Sequence, residues 1–178
     1  MHGANVESKT RATDLDAVAC VASELGARYE GRLDQVDTYF QVPRGRLKLR
    51  EISHLGAGGS VSTSCELIRY DRPDERGARV SRYERTEIDD PATCKERLVA
   101  EHGLRGCVRK QRDLWLLGST RVHLDRVQEL GNFVELETVC ADAPGPGDRL
   151  EHDRLAAALG LDPEATFEGS YIDLLEGI

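Results

Sequence analysis

With 178 residues, the chain is long enough to bury a real apolar core in one ordinary domain, without disulfide or metal staples. A formal net charge of −8 argues against a general nucleic-acid binder, which needs a basic footprint. No apolar run approaches the ~20 residues of a membrane helix, and residues 1–11 hold no apolar signal core. The expectation is a cytoplasmic protein with neither nucleic acid nor membrane as partner, made of a single domain over residues 1–178.

Residues 5–12 read as a strand with polar side chains at every second position. Residues 13–25 switch to helical spacing, with Leu15, Val18, Ala19, Ala22 and Leu25 on one face, Thr13 or Asp14 as cap and Gly26 past the end. Residues 28–42 return to an extended pattern. The turn signal Pro43-Arg44-Gly45 predicts a hairpin between 36–42 and 46–52. Residues 56–64 are rich in Gly and Ser and read as a mobile loop. Gly56-Ala57-Gly58-Gly59 lacks the Lys-Ser/Thr and the following helix of a phosphate loop. Residues 65–72 and 78–87 read as the next strand pair, turning through 71–77.

Pro91 opens a second helix that Gly103 ends. Three strands are predicted at 106–117, 121–127 and 133–140, with turns at Gly118-Ser119 and Leu130-Gly131. A third helix at 148–159 and a short tail at 167–175 complete the chain. Short turns between most strands imply antiparallel pairing, so the fold class is α+β. The five cysteines form no CxxC pair and the five histidines no HExxH pattern, so neither zinc nor a disulfide framework is indicated.

Charge alternation along the strands is the informative feature. Residues two apart in a strand share a face. Asn5, Glu7, Lys9 and Arg11 share one, and Arg46, Lys48 and Arg50 share another, opposite Leu47 and Leu49. Lys110 and Arg112 form a further pair. Arg121, His123 and Asp125 lie opposite Val122 and Leu124, and Glu135 and Glu137 lie opposite Val134 and Leu136. Two architectures fit: a sheet whose charged face is solvated, or a closed sheet with charges around a wet lumen and apolar residues outward under helices. The sorting of basic pairs and carboxylate pairs onto different strands suits the second. Burying so many ions needs compensation, which a polyanion with a divalent metal would give. Arg and Lys clamp phosphate oxygens, and Mg²⁺ takes carboxylate and phosphate oxygens.

Asn5-Val6-Glu7-Ser8-Lys9 looks like an ExExK signature. With Asp37-Thr38-Tyr39-Phe40, residues 45–51, residues 67–72, Val108-Arg109-Lys110-Gln111-Arg112, residues 121–125, residues 130–137 and Ser170-Tyr171-Ile172-Asp173-Leu174-Leu175, the chain resembles the CYTH group. These are the triphosphate tunnel metalloenzymes, which include class IV adenylyl cyclases and thiamine triphosphatases. The resemblance spans nearly the whole chain and leans to the cyclase-like branch. It implies an eight-stranded antiparallel β-barrel, a tunnel with helices packed outside. It assigns Glu7, Asp125, Glu135 and Glu137 to metal, Mg²⁺ or Mn²⁺. It assigns Lys9, Arg46, Lys48, Arg50, Arg72, Lys110, Arg112 and Arg121 to the triphosphate, and Lys9 with Tyr39 to catalysis. Asn5 departs from the pattern: its amide oxygen can ligate a metal but brings no charge and no base.

The resulting expectation is a metal-dependent enzyme acting on ATP, thiamine triphosphate or tripolyphosphate. It would form cyclic AMP and pyrophosphate, or hydrolyse the triphosphate. The alternative is a module that binds a polyphosphate or nucleoside triphosphate without turning it over. A homodimer stays open. Trp115 is expected in core or helix contact, His123 beside phosphate or in a structural hydrogen bond, and Tyr171 against the barrel with no chemical role.

Overall fold

The computed structural model describes residues 2–71, 79–140, 144–167 and 169–177. Among these, eight strands close into one antiparallel barrel. In chain order they are β1 (His2–Arg11), β2 (Arg28–Phe40), β3 (Arg46–Gly56), β4 (Val61–Asp71), β5 (Arg79–Glu87), β6 (Leu104–Leu117), β7 (Thr120–Val127) and β8 (Gly131–Cys140). The order round the barrel is β1-β5-β4-β3-β2-β6-β7-β8, and β8 pairs back onto β1. Four helices surround it: α1 (Leu15–Glu24), α2 (Pro91–His102), α3 (Pro146–Ala158) and α4 (Tyr171–Glu176).

Local chemistry explains the element ends. Asp14 caps α1, accepting from the Asp16 and Ala17 amides at 3.0 Å, and Asp90 caps α2 ahead of Pro91. The hairpin turn before β3 ends at Gly45, whose φ of 65° suits glycine. The predicted loop at 56–64 is shorter than expected. Val61 to Ser64 belong to β4 and pair with Leu55 to Ile52, leaving a tight turn closed by Gly56 N–H donating to Ser60 O at 2.9 Å. Small polar residues hid this stretch, yet Val61 and Thr63 are β-branched and suit an exposed strand end. The turn expected at 71–77 lies almost wholly outside the described residues.

Packing follows the period-two pattern. On the outer face, Val122, Leu124, Val134 and Leu136 of β7 and β8 bury against Leu15 and Ala22 of α1, Leu155 of α3 and Leu159 at its end. Trp115 packs at the edge of this cluster and against Tyr29, with ring centroids 5.0 Å apart. Phe40, Leu47, Leu49 and Cys65 bury against Cys94 and Leu98 of α2. Ser8 also points outward, where its hydroxyl meets buried His152 of α3 at 2.8 Å. Among the described residues no helix is long and apolar enough to cross a membrane. All five cysteines are free thiols.

The third apolar cluster closes one end of the lumen. Tyr39, Ile68, Tyr70, Val108, Val127 and Phe133 point inward and meet Tyr171 and Ile172 of α4. Gly106 makes room for this helix, since a Cβ there would come within 2.7 Å of Ile172 Cδ1. Asp173 of α4 accepts from Arg46 at 2.8 Å and Arg105 at 2.6 Å, tying the plug to β3 and β6.

Candidate active site in the barrel lumen

The inward faces of the strands line a cavity of about 390 Å³. Lys48 and Arg50 come from β3, Lys110 and Arg112 from β6, and β2 runs between them carrying Gln35, Asp37 and Tyr39. Across the lumen lie Asn5, Glu7 and Lys9 of β1 and Glu135 and Glu137 of β8, with Glu7 directly opposite Glu137 in register. In the ring of eight β1 stands opposite β2 and β8 opposite β3, so Lys48 and Arg50 of the cationic wall face the β8 carboxylates, whereas Arg112 of β6, two strands from β8, bonds Glu135 directly.

Each cation is held by a carboxylate. Asp37 accepts from Lys48 Nζ at 2.8 Å and from Arg50 Nε and Nη2 at 2.7 and 2.8 Å. Asp125 takes both forks of Arg112 at 2.6 Å, Lys110 at 3.3 Å and the Tyr171 hydroxyl at 2.8 Å. Glu135 pairs with Lys9 at 2.5 Å and also bonds Arg112. Glu137 accepts from Arg121 at 3.0 Å and from Asn5 Nδ2 at 2.5 Å. His123 stands between the last two, its Nδ1 3.7 Å from Glu135 and its Nε2 3.9 Å from Glu137.

This packing shifts the titrations. Burial alone would raise the Asp37 carboxyl, but Arg50 and Lys48 hold it well below the usual range. The same contest, with Lys9 and Arg112 as counter-charges, leaves Glu135 well below it. Burial and neighbouring Arg50 pull Lys48 down to about 7 despite Asp37. Burial and Arg112 bring Lys110 to about 8. The Tyr39 and Tyr171 hydroxyls are pushed well up, first by burial and then by Tyr70 and Asp125 respectively. Both therefore stay protonated at neutral pH.

The sequence matches the CYTH domain over residues 3–171. The chain belongs to the CYTH family. No curated protein sequence matches it, whereas solved structures do. The PH1012 protein of Pyrococcus horikoshii is similar at a TM-score of 0.80 and 24% identity, covering 96% of this chain and 98% of that one. A candidate adenylate cyclase of Vibrio parahaemolyticus follows at 0.71 and 21%, covering 97% of each chain. HpAC1 of Hippeastrum, a candidate adenylyl cyclase with a dominant triphosphatase activity, is similar at 0.61 and 14%, covering 97% and 95%. These likenesses establish the barrel fold.

Within the CYTH barrel, most residues singled out in the sequence converge. Glu7, Lys9, Tyr39, Lys48, Arg50, Lys110, Arg112, Arg121, Glu135 and Glu137 all line the cavity. Arg46 does not: it sits at the plugged end on Asp173. Asp125 is fully buried behind the cavity wall, with both oxygens committed to Arg112, Lys110 and Tyr171. Arg72 lies outside the described residues. Lys9 pairs with Glu135 at 2.5 Å, and the Tyr39 hydroxyl lies 3.5 Å from Lys48 and from Tyr70. Sequence reasoning missed two residues. Asp37 shares a strand face with Gln35 and Tyr39, which was a usable signal. Tyr171 sits on a six-residue helix, too short for periodicity to place.

Proposed function

We propose that this CYTH protein is a divalent-metal-dependent enzyme that holds a triphosphate chain in its lumen and cleaves it. The observation that carries this reading is that Lys48, Arg50, Lys110 and Arg112 line one cavity together with Glu7, Glu135 and Glu137. A triphosphate between the walls would take over the guanidinium and ammonium groups and free carboxylate oxygens. Among the described residues no three His, Cys, Asp or Glu side chains form a ready metal cage.

Glu7, Glu135 and Glu137 would hold Mg²⁺ or Mn²⁺, and their hard oxygens fit it. The Asn5 carbonyl oxygen is a further donor, buried with no hydrogen-bond partner among the described residues. When bound, the metal supplies charge neutralisation and polarises a phosphoryl oxygen. Lys9, Lys48, Arg50, Lys110, Arg112 and Arg121 would bind phosphate oxygens and stabilise charge as it develops. Asp125 would act by aiming Arg112 and Lys110. Tyr39, protonated, would donate to a phosphoryl oxygen, while Lys48 near 7 can take a proton.

Two reactions share this apparatus. Attack by the ribose 3′-hydroxyl of ATP on the α-phosphorus yields cyclic AMP and pyrophosphate. Attack by water on the terminal phosphorus yields orthophosphate. One scaffold can host either. Phosphorus NMR with ATP, thiamine triphosphate and tripolyphosphate, each with Mg²⁺ or Mn²⁺, separates them by product. No turnover of any of the three rejects the enzyme. Tight calorimetric binding without product supports the second reading, a binding module, which Asn5 favours by lowering the charge of the metal wall.

A further inference from the structure

Gln35 has no task in the ion-pair scheme, yet it is only 3% exposed and lines the lumen. Its Oε1 is buried with no hydrogen-bond partner among the described residues. Leaving an amide oxygen dry and unpaired is unfavourable unless a ligand supplies the missing donor. Its position says which part of a ligand that would be. In register, Gln35 lies between Lys110 of β6 and Ile52 of β3. Lys110 belongs to the cationic wall. Ile52 joins Leu33 and Leu114, half-buried apolar side chains lining the same cavity. The lumen is sealed at the other end by Tyr171 and Ile172. A ligand with its phosphates among the lysines and arginines would bring its organic end against these three apolar side chains, with the Gln35 amide at the junction.

We propose that Gln35 is a specificity-determining residue that reads the organic part of the triphosphate. An amide presents a donor beside an acceptor, and it pairs in bidentate fashion with a ring edge offering an amine beside a ring nitrogen, as glutamine does with adenine. The shared chemistry is an aminopyrimidine edge, present in ATP and in thiamine triphosphate and absent from tripolyphosphate. Leu33, Ile52 and Leu114 supply the apolar contact for the ring. This inference rests on the triphosphate reading of the lumen and adds that the site prefers an organic triphosphate to a bare one.

The test is calorimetric binding of ATP, thiamine triphosphate and tripolyphosphate to the wild type and Gln35→Leu, with melting curves for both. Removing both reading hydrogen bonds should weaken one organic triphosphate about tenfold or more, and which one weakens identifies the source. Tripolyphosphate should stay within about twofold. Because leucine removes a buried amide oxygen that has no hydrogen-bond partner among the described residues, the variant should melt at or above the wild-type temperature. Equal weakening of all three ligands, no change in any, or a lower melting temperature overturns the assignment. Failure of tripolyphosphate and both organic triphosphates to bind the wild type overturns the triphosphate reading itself, whereas tight tripolyphosphate binding with no Gln35 effect overturns this inference alone.

Discussion

The two faces of β7 and β8 are built from alternating residues of the same strands, yet they do opposite work. Outward, Val122, Leu124, Val134 and Leu136 are at most 1% exposed and pack under α1 and α3. Inward, His123 and Asp125 are buried and Glu135 and Glu137 are half-buried, the three carboxylates in ion pairs with Lys9, Lys110, Arg112 and Arg121. Apolar burial stabilises the fold at about 25 cal/mol per Å². Buried ion pairs return little net stability, because desolvation cancels most of the attraction. The outer face therefore holds the barrel together, and the inner face, which returns little stability, is free to serve the proposed binding role.

The sharpest way to break that comparison is a cavity on the outer face. Leu136→Ala should destabilise the fold by about 2–5 kcal/mol in urea unfolding, while activity per folded molecule is kept. If activity falls with little loss of stability, the division between the faces is wrong. On the inner face the pattern should reverse. Glu135→Gln should lower turnover by roughly 100-fold or more and cost less stability than Leu136→Ala, since Arg112 keeps Asp125 and the glutamine carbonyl still accepts from Lys9. Wild-type rates in that variant would remove Glu135 from the site.

Tyr171→Phe probes the junction between plug and wall. Losing the 2.8 Å bond to Asp125 should cost about 1 kcal/mol of stability and reduce turnover about tenfold by loosening Arg112. A stability loss with unchanged turnover would make Tyr171 part of the plug alone. The smallest effect is one of pH. Lys48, depressed to about 7, is charged below that value and loses its attraction for a polyanion above it; Lys110 follows near 8. Between pH 6.5 and 8.5, wild-type affinity for tripolyphosphate should fall about fivefold more than that of Lys48→Arg, whose guanidinium keeps its proton. Parallel slopes would show that Lys48 does not titrate in the lumen.

Much of this was legible because side-chain direction in a strand is local. Lys48 and Arg50, Lys110 and Arg112, and Glu135 and Glu137 could be assigned to shared faces from spacing alone, and the CYTH resemblance named their chemistry. Arg46 obeys the same alternation as Lys48 and Arg50, so spacing grouped it with them. Its separation depends on where α4 docks, which places Asp173 against it. Asp125 likewise shares a face with His123 and Arg121, but its burial depends on Tyr171 arriving from 46 residues away.

By itself the sequence determined the period-two faces, the turns that make neighbouring strands antiparallel, and the chemical type of each wall. Those are properties of backbone geometry and of residues close in the chain. Only the tertiary structure decided that β1 lies between β5 and β8, that Asn5 meets Glu137 across 132 residues, and that α4 seals one end of the lumen. Closure decides these contacts, because burying every apolar outer face under a helix while pairing every strand edge is a condition on the whole barrel. The charge alternation then becomes a lumen in which β1 and β8 face β2 and β3.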